Sequence, residues 1–212
     1  MESEERWEEN YVSRGPLWGG VVHSLPALPD YARILELGCG NGKTLSAMNR
    51  SGWDVTGIDH SPRALQLARQ AFPEEYKISL ARADIRQLPF CAGSFEGVCA
   101  FHVIGHLSAG DRATSLQELS RVTRAGGRVF FRDFSTWDFR YGRGKVTEPG
   151  TFLRGNGIQT HYFTEGEVVD LFTGFVAEST GTCTWHMRVK GIEHVRSEIT
   201  ATFVKKLIRK KP

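Results

Sequence analysis

The stretch Arg33-Ile34-Leu35-Glu36-Leu37-Gly38-Cys39-Gly40-Asn41-Gly42-Lys43-Thr44 decides the fold. A short aliphatic run, residues 33–37, stops at three alternating glycines, and a helical pattern opens at Lys43. The residues Asp54 to Ile58 (DVTGI) supply a second strand and complete a βαβ unit. Ser61 and Pro62 then give an N-cap and a first-turn proline for a helix over residues 63–72. Further strands are predicted at 77–81, 97–101 and 128–131, with a helix at about 111–124. The alternation predicts an α/β, doubly wound, Rossmann-like parallel sheet. Two β-rich stretches, 175–188 and 199–205, follow without a helix between them, a pattern that predicts antiparallel pairing.

Composition narrows the class. A chain of 212 residues with 40% hydrophobic and 24% charged residues has a globular balance and suits a single domain over residues 1–212. No apolar run approaches the ~20 residues needed to cross a bilayer, and the opening MESEERWEEN is acidic where a signal peptide is basic and then apolar. The reading is a cytoplasmic protein with no membrane partner. Cys39, Cys91, Cys99 and Cys183 are scattered without a C-x-x-C pair, so neither a disulfide scaffold nor a structural zinc is expected. The net charge of +3 is unevenly spread, with glutamates near the N-terminus and Lys205, Lys206, Arg209, Lys210 and Lys211 near the C-terminus.

The glycine turn suits a ligand that must come close to backbone N–H groups and a helix N-terminus. A Walker loop fails on spacing, because Leu37 stands where its first glycine belongs. A dinucleotide G-x-G-x-x-G fails because Lys43 holds the third glycine position. What remains is E-x-G-x-G-x-G, with Glu36, Gly38, Gly40 and Gly42, followed by Asp59 at the tip of the second strand and by Ala83-Asp84-Ile85 after the third. This order resembles the class I S-adenosylmethionine-dependent methyltransferases. The resemblance implies a seven-stranded sheet whose last strand is antiparallel, with S-adenosyl-L-methionine as cofactor. It also implies a ribose role for Asp59 and an adenine pocket at Ala83, Asp84 and Ile85, with Asp84 facing the exocyclic amine. Cys39 in the turn, His60 after Asp59 and Phe101 at the end of the fourth strand complete the predicted cofactor set. Trp7 and Tyr11 (W-x-x-x-Y) with Trp18 lie in an N-terminal segment, 1–30, that in similar methyltransferases folds over the cofactor. Such rings exclude water or lie against the sulfonium.

The fourth strand ends Cys99-Ala100-Phe101-His102-Val103, which is neither the N-P-P-Y of adenine amine methylation nor a Pro-Cys pair for covalent attack on a pyrimidine. His102 and His106 lack the glutamate of a zinc hydrolase and are read as packed or capping residues, with a base in transfer as the alternative. Beyond the fifth strand stand Arg132-Asp133-Phe134, then Asp138, and later Phe152-Leu153-Arg154-Gly155-Asn156-Gly157 with His161-Tyr162-Phe163-Thr164. These residues resemble the tRNA 3-methylcytidine methyltransferases, whose patterns are R-D-[FY] and F-x-V-R-x-D-G-T-R-x-Y-F-[FT]. Asn156 and Ile158 replace the Asp and Thr of that pattern. The resemblance implies tRNA as partner and a substrate-recognition insertion over 135–163. For such an acceptor, Asp133 at the strand tip, with Asp138 as second candidate, is expected to stabilise the growing charge, Arg132, Arg154 and Lys145 to bind phosphate, and Phe134, Trp137, Tyr162 or Phe163 to stack a base. The alternatives are a small-molecule acceptor, or a cofactor-binding partner subunit without catalysis. No protein partner is specified by the sequence.

Overall fold

The computed structural model describes residues 2–17, 25, 27–29, 31–72, 76 and 78–207. The glycine turn joins β1 (Arg33–Leu37) to α2 (Lys43–Arg50), after an N-terminal helix α1 (Glu2–Arg14). Then follow β2 (Asp54–Asp59), α3 (Pro62–Ala71), β3 (Ile78–Arg82), β4 (Phe95–Phe101), a 3-10 turn (Ile104–His106), α4 (Ala109–Val122) and β5 (Thr123–Phe134). A small sheet comprises β6 (Lys145–Glu148), β7 (Thr151–Leu153) and β8 (Gln159–His161), and α5 (Glu165–Leu171), β9 (Phe175–Val189) and β10 (Ile192–Lys205) complete the order.

The main sheet has seven strands in the order β3-β2-β1-β4-β5-β10-β9. The pairs among β1 to β5 are parallel, whereas β10 runs antiparallel to both β5 and β9. The predicted α/β doubly wound sheet with an antiparallel last strand is therefore present. Order reverses beside β1, and the C-terminal ends of β1, β2 and β4 meet there, which is where ligands bind in open α/β sheets.

Alternation along the strands assigns the two cores. Leu35, Leu37, Ile58, Val98, Ala100, Val129 and Phe131 pack on one face with Leu116 and Leu119 of α4. Ile34, Val55, Cys99 and Phe130 pack on the other with Leu45 and Met48 of α2. Each Val, Leu, Ile, Phe or Met among them contributes about 1.5–3 kcal/mol on burial. Helix starts follow the sequence: Ser61 Oγ accepts from Ala64 N at 2.9 Å, Ser108 Oγ from Asp111 N at 3.2 Å, and Thr164 Oγ1 from Glu167 N at 3.3 Å.

Two differences from the sequence reading stand out. The segment after Phe134, for which no strand is predicted, holds the antiparallel sheet β6-β7-β8. Its strands span three or four residues each, too short for alternation to register. The final hairpin is also longer: residues 192–197 of β10 pair only with β9, and pairing with β5 begins at Glu198 opposite Phe134. The hairpin thus projects beyond the sheet on its ligand-binding edge. Ser135 N donates to Ser197 O at 3.1 Å and Phe139 N to Val195 O at 3.0 Å, so the projecting part is tied to the loop after β5.

Candidate active site

The turn after β1 is built by glycine. Gly38, Gly40 and Gly42 have φ of 64°, 55° and 84°, the left-handed region that disfavours side chains. At Gly38 an added Cβ would stand 2.7 Å from Val103 Cγ2, so this turn packs directly on the tip of β4. The Cys39 N–H donates to Ile58 O at 2.9 Å, and the Gly40 N–H donates to Asp59 Oδ2 at 2.8 Å. Asp59 Oδ1 accepts from Ser61 N at 2.9 Å. Each carboxylate oxygen thereby holds one backbone donor and keeps a lone-pair site. Burial pushes the Asp59 carboxyl above its usual range, against the Ser61 and Gly40 hydrogen bonds.

Glu36 is 4% exposed beneath this turn, and its Oε2 has no hydrogen-bond partner among the described residues. Burial raises its pKa to about 8, against a hydrogen bond from Thr44 and with a smaller push from the charge of Asp59. The Cys39 thiol is likewise buried and pushed up, chiefly by burial.

Helix α1 lies across these loops. Glu8 accepts from Ser61 Oγ and, at 3.2 Å, from Arg63 N at the start of α3. Glu4 pairs with Arg86 and stands 3.6 Å from His60 Nε2. The Trp7 ring meets His106 edge-on at 4.9 Å, and Tyr11 is buried. Trp18 lies outside the described residues. Arg86 also holds both oxygens of Asp84, at 2.6 to 3.0 Å, and reaches Asp111 at 3.4 Å. Burial opposes ionisation of Asp84, but the Arg86 guanidinium outweighs it and keeps the carboxyl below its ordinary range. Ile85 is buried in the core beside Leu37 and Ile58, with Ala83 packed against that cluster.

At the tips of β4 and β5 a second group of side chains converges. Asp133 is fully buried; Oδ2 accepts from Gly105 N at 2.8 Å and Oδ1 from Phe134 N at 2.9 Å. Only glycine fits at 105, because a Cβ there would stand 2.9 Å from Asp133 Oδ1. His102 Nδ1 is 3.9 Å from Asp133 Oδ1, and His102 Nε2 is 3.3 Å from Glu198 Oε2. Arg132 Nε is 3.4 Å from Glu198 Oε1, and its guanidinium lies 5.1 Å from the Phe101 ring centroid. His106 is part-buried with Nδ1 2.8 Å from Gln159 O, and desolvation lowers its pKa.

Asp138 is the centre of an internal ion cluster. Arg140 Nε lies 2.6 Å from Oδ1, while Arg196 Nε at 2.7 Å and Ser197 N at 3.2 Å donate to Oδ2. Burial opposes its ionisation, yet the Arg140 and Arg196 hydrogen bonds prevail and hold its pKa low. Arg140 also covers the Phe134 ring at 3.8 Å. With both oxygens committed, Asp138 organises the loop after β5. Tyr162 packs among Phe134, Tyr141 and Phe152, and its hydroxyl has no partner among the described residues. Phe163 is fully buried, edge-on to Phe131 in the main core. Arg154 opens the turn 154–157, where Arg6 of α1 comes against Gly157. The residues that the sequence reading did not single out are Glu4, Glu8, Arg86, Arg140, Arg196 and Glu198. Glu4, Glu8, Arg196 and Glu198 reach the site through long-range pairing that no local pattern encodes, whereas Arg86 and Arg140 each hold an aspartate two residues away.

Comparison with known proteins agrees with this geometry. Residues 35–131 match a family model described as "Methyltransferase domain". Over this stretch the chain is similar to the class I S-adenosylmethionine-dependent methyltransferases, and its seven-stranded sheet has their fold. Within the class it resembles the tRNA N(3)-cytidine methyltransferases. The tRNA N(3)-methylcytidine methyltransferase Mettl2 of Drosophila melanogaster is 30% identical over 152 residues, which cover 66% of this chain and 47% of that protein. An O-methyltransferase of Pyrenophora dematioidea is 36% identical over 104 residues, covering 47% of this chain and 38% of that protein. A SAM-dependent methyltransferase from Methanosarcina mazei superposes with a TM-score of 0.73 at 24% identity, covering 85% of this chain and 95% of the other. The chain spans less than half the length of these curated relatives.

The residues present fit S-adenosyl-L-methionine, the cofactor of this class. The unpartnered Oε2 of Glu36 offers a buried carboxylate oxygen to a cationic ligand, and Asp59 keeps acceptor sites for hydroxyls. Among the described residues no His, Cys, Asp and Glu cluster suits a metal ion, and no helix is long and apolar enough to cross a membrane.

Proposed function

We propose that this chain methylates the N3 ring nitrogen of a cytidine in tRNA. The observation that carries this reading is the negative charge gathered at the end of β5 and at the adjoining middle of β10, where Asp133 and Glu198 flank His102 within 3.9 and 3.3 Å. An acceptor nitrogen that becomes cationic on methylation is favoured by such a field. S-adenosylmethionine supplies a methyl group on a sulfonium. The N3 lone pair forms the new N–C bond, the C–S bond breaks with its pair going to sulfur, and the positive charge passes to the ring. No proton needs to leave in this step, so alignment matters more than a strong base.

The chain's own residues then bind and shield. Asp59 and Glu36 hold the cofactor, α1 closes the cleft through Glu4, Glu8 and Trp7, and Arg132 and Arg154 face phosphate. The loop after β5 and the projecting hairpin carry exposed Trp137, Tyr141 and Trp185, and Arg196 covers the Trp185 ring at 5.5 Å while Arg143 lies over Phe139 at 5.2 Å, a basic and aromatic mixture that suits single-stranded RNA. The tRNA acceptor implies a cytoplasmic enzyme.

A small-molecule acceptor is the second reading, favoured by the 36% identity to an O-methyltransferase. Parallel incubation of total tRNA and of a small-metabolite extract with methyl-labelled S-adenosylmethionine separates the two. Label in the tRNA fraction, with transfer falling steeply as salt rises, supports the first. Label confined to the metabolite fraction supports the second.

A further inference from the structure

His102 is held in a conformation that costs free energy. Its φ is 54°, in the left-handed region, at a cost of about 1 kcal/mol for a residue with a side chain. Its N–H donates to Arg132 O at 2.7 Å, which keeps the residue at the junction of β4 and β5. The ring is fixed on three sides: Phe134 lies under it at 4.5 Å with 31° between planes, Glu198 is 3.3 Å from Nε2, and Asp133 is 3.9 Å from Nδ1. Nδ1 itself is buried and without a hydrogen-bond partner among the described residues. Yet 35% of the side chain is open to solvent, while Asp133 beneath it is fully closed off. The next residue, Val103, packs on Gly38 of the cofactor turn, so His102 is one residue along the chain from that turn's contact.

Resting on the acceptor reading above, we propose that His102 is the platform on which the acceptor base stacks. Asp133 is then a positioning residue that acts through the imidazole and does not touch the acceptor. A planar base laid on this ring continues the stack begun by Phe134 and lies between two carboxylates as its charge develops. Aromatic side chains serve single-stranded bases in this way, and the geometry here is set by the backbone strain and by the two flanking carboxylates.

The test uses two RNA hairpins that differ only at one loop position, cytidine or an abasic site, with the full chain and S-adenosylhomocysteine. The parent is expected to bind the cytidine hairpin about 5- to 150-fold more tightly, the range for one stacked base. His102→Asn, which tolerates the left-handed backbone, is expected to erase that difference and leave cofactor affinity unchanged. His102→Asn that still discriminates as well as the parent overturns the proposal alone. A parent that does not discriminate overturns the RNA acceptor reading and the proposal with it. In transfer assays the losses from His102→Asn and Asp133→Asn should not multiply in the double variant. Losses that multiply would show that Asp133 acts on the acceptor independently. Should Asp133→Asn fail to fold, Glu198→Gln paired with His102→Asn gives the same cycle: multiplying losses contradict the shared platform, and non-multiplying losses support it.

Discussion

The backbone N–H of Gly40 donates to Asp59 Oδ2 at 2.8 Å, so the cofactor turn after β1 is braced by the carboxylate at the end of β2. The same carboxylate holds Ser61 N at 2.9 Å and so also fixes the start of α3. Asp59→Ala should therefore act twice, removing a ligand group and loosening the turn. Loss of a hydrogen bond to a charged group is worth about 1.5–3 kcal/mol, so S-adenosylmethionine affinity should fall by at least about tenfold. Titration calorimetry measures this, and an affinity equal to the parent's would remove Asp59 from the site.

Asp138 sits between Arg140 and Arg196 with its side chain fully buried. Asp138→Ala leaves two part-buried guanidinia without their shared carboxylate, which costs about 3–5 kcal/mol at most. In a chain of this size that is a fall in Tm of about 6–20 °C. Calorimetric melting checks it; a Tm near the parent's with transfer abolished would instead make Asp138 a group that meets the acceptor.

Glu36, with a pKa of about 8 in the fold, carries a linkage consequence. A carboxyl whose folded pKa lies above its unfolded value binds more protons when folded. Its contribution to stability is full below the unfolded value near 4.5 and is lost as pH rises through about 8. Without cofactor, the parent should lose thermal stability over that interval, and Glu36→Gln should flatten the decline. Melting curves across the interval decide it, and parallel declines in both proteins would contradict the assignment.

Helix α1 is anchored by Glu8 on Ser61 and on Arg63 N. Glu8→Ala should cost about 1 kcal/mol, comparable to the loss of a helix cap. Hydrogen exchange should then quicken in α1 and in the first turn of α3 while the central strands keep their protection. Unchanged exchange in α1 would mean that other contacts hold it.

Much of this architecture is legible in the sequence because β1, β2 and the glycine turn carry short-range signals. Aliphatic runs stop at residues that only a turn accommodates, and Ser61-Pro62 marks the next helix start. Asp59 and Glu36 are singled out by their order around that turn and by the resemblance it carries. The positions of Glu198 and Arg196 are not, since each reaches the site through the register of a hairpin some sixty residues after Phe134. Phe163 and Tyr162 show another limit. Adjacent aromatics look alike in sequence, but the β8-α5 connection turns Phe163 into the core against Phe131 and leaves Tyr162 beside Phe134. His102 reads as an ordinary packed histidine until its positive φ and its two carboxylate neighbours are seen.

The most direct test of the central claim follows the methyl group to a single atom. tRNA treated with the protein and with carbon-13-methyl S-adenosylmethionine would be digested to nucleosides and resolved by mass spectrometry. Labelled 3-methylcytidine should form with the parent and be strongly reduced with Asp59→Ala. Absence of label from every tRNA nucleoside, with a parent that binds the cofactor, would contradict the account.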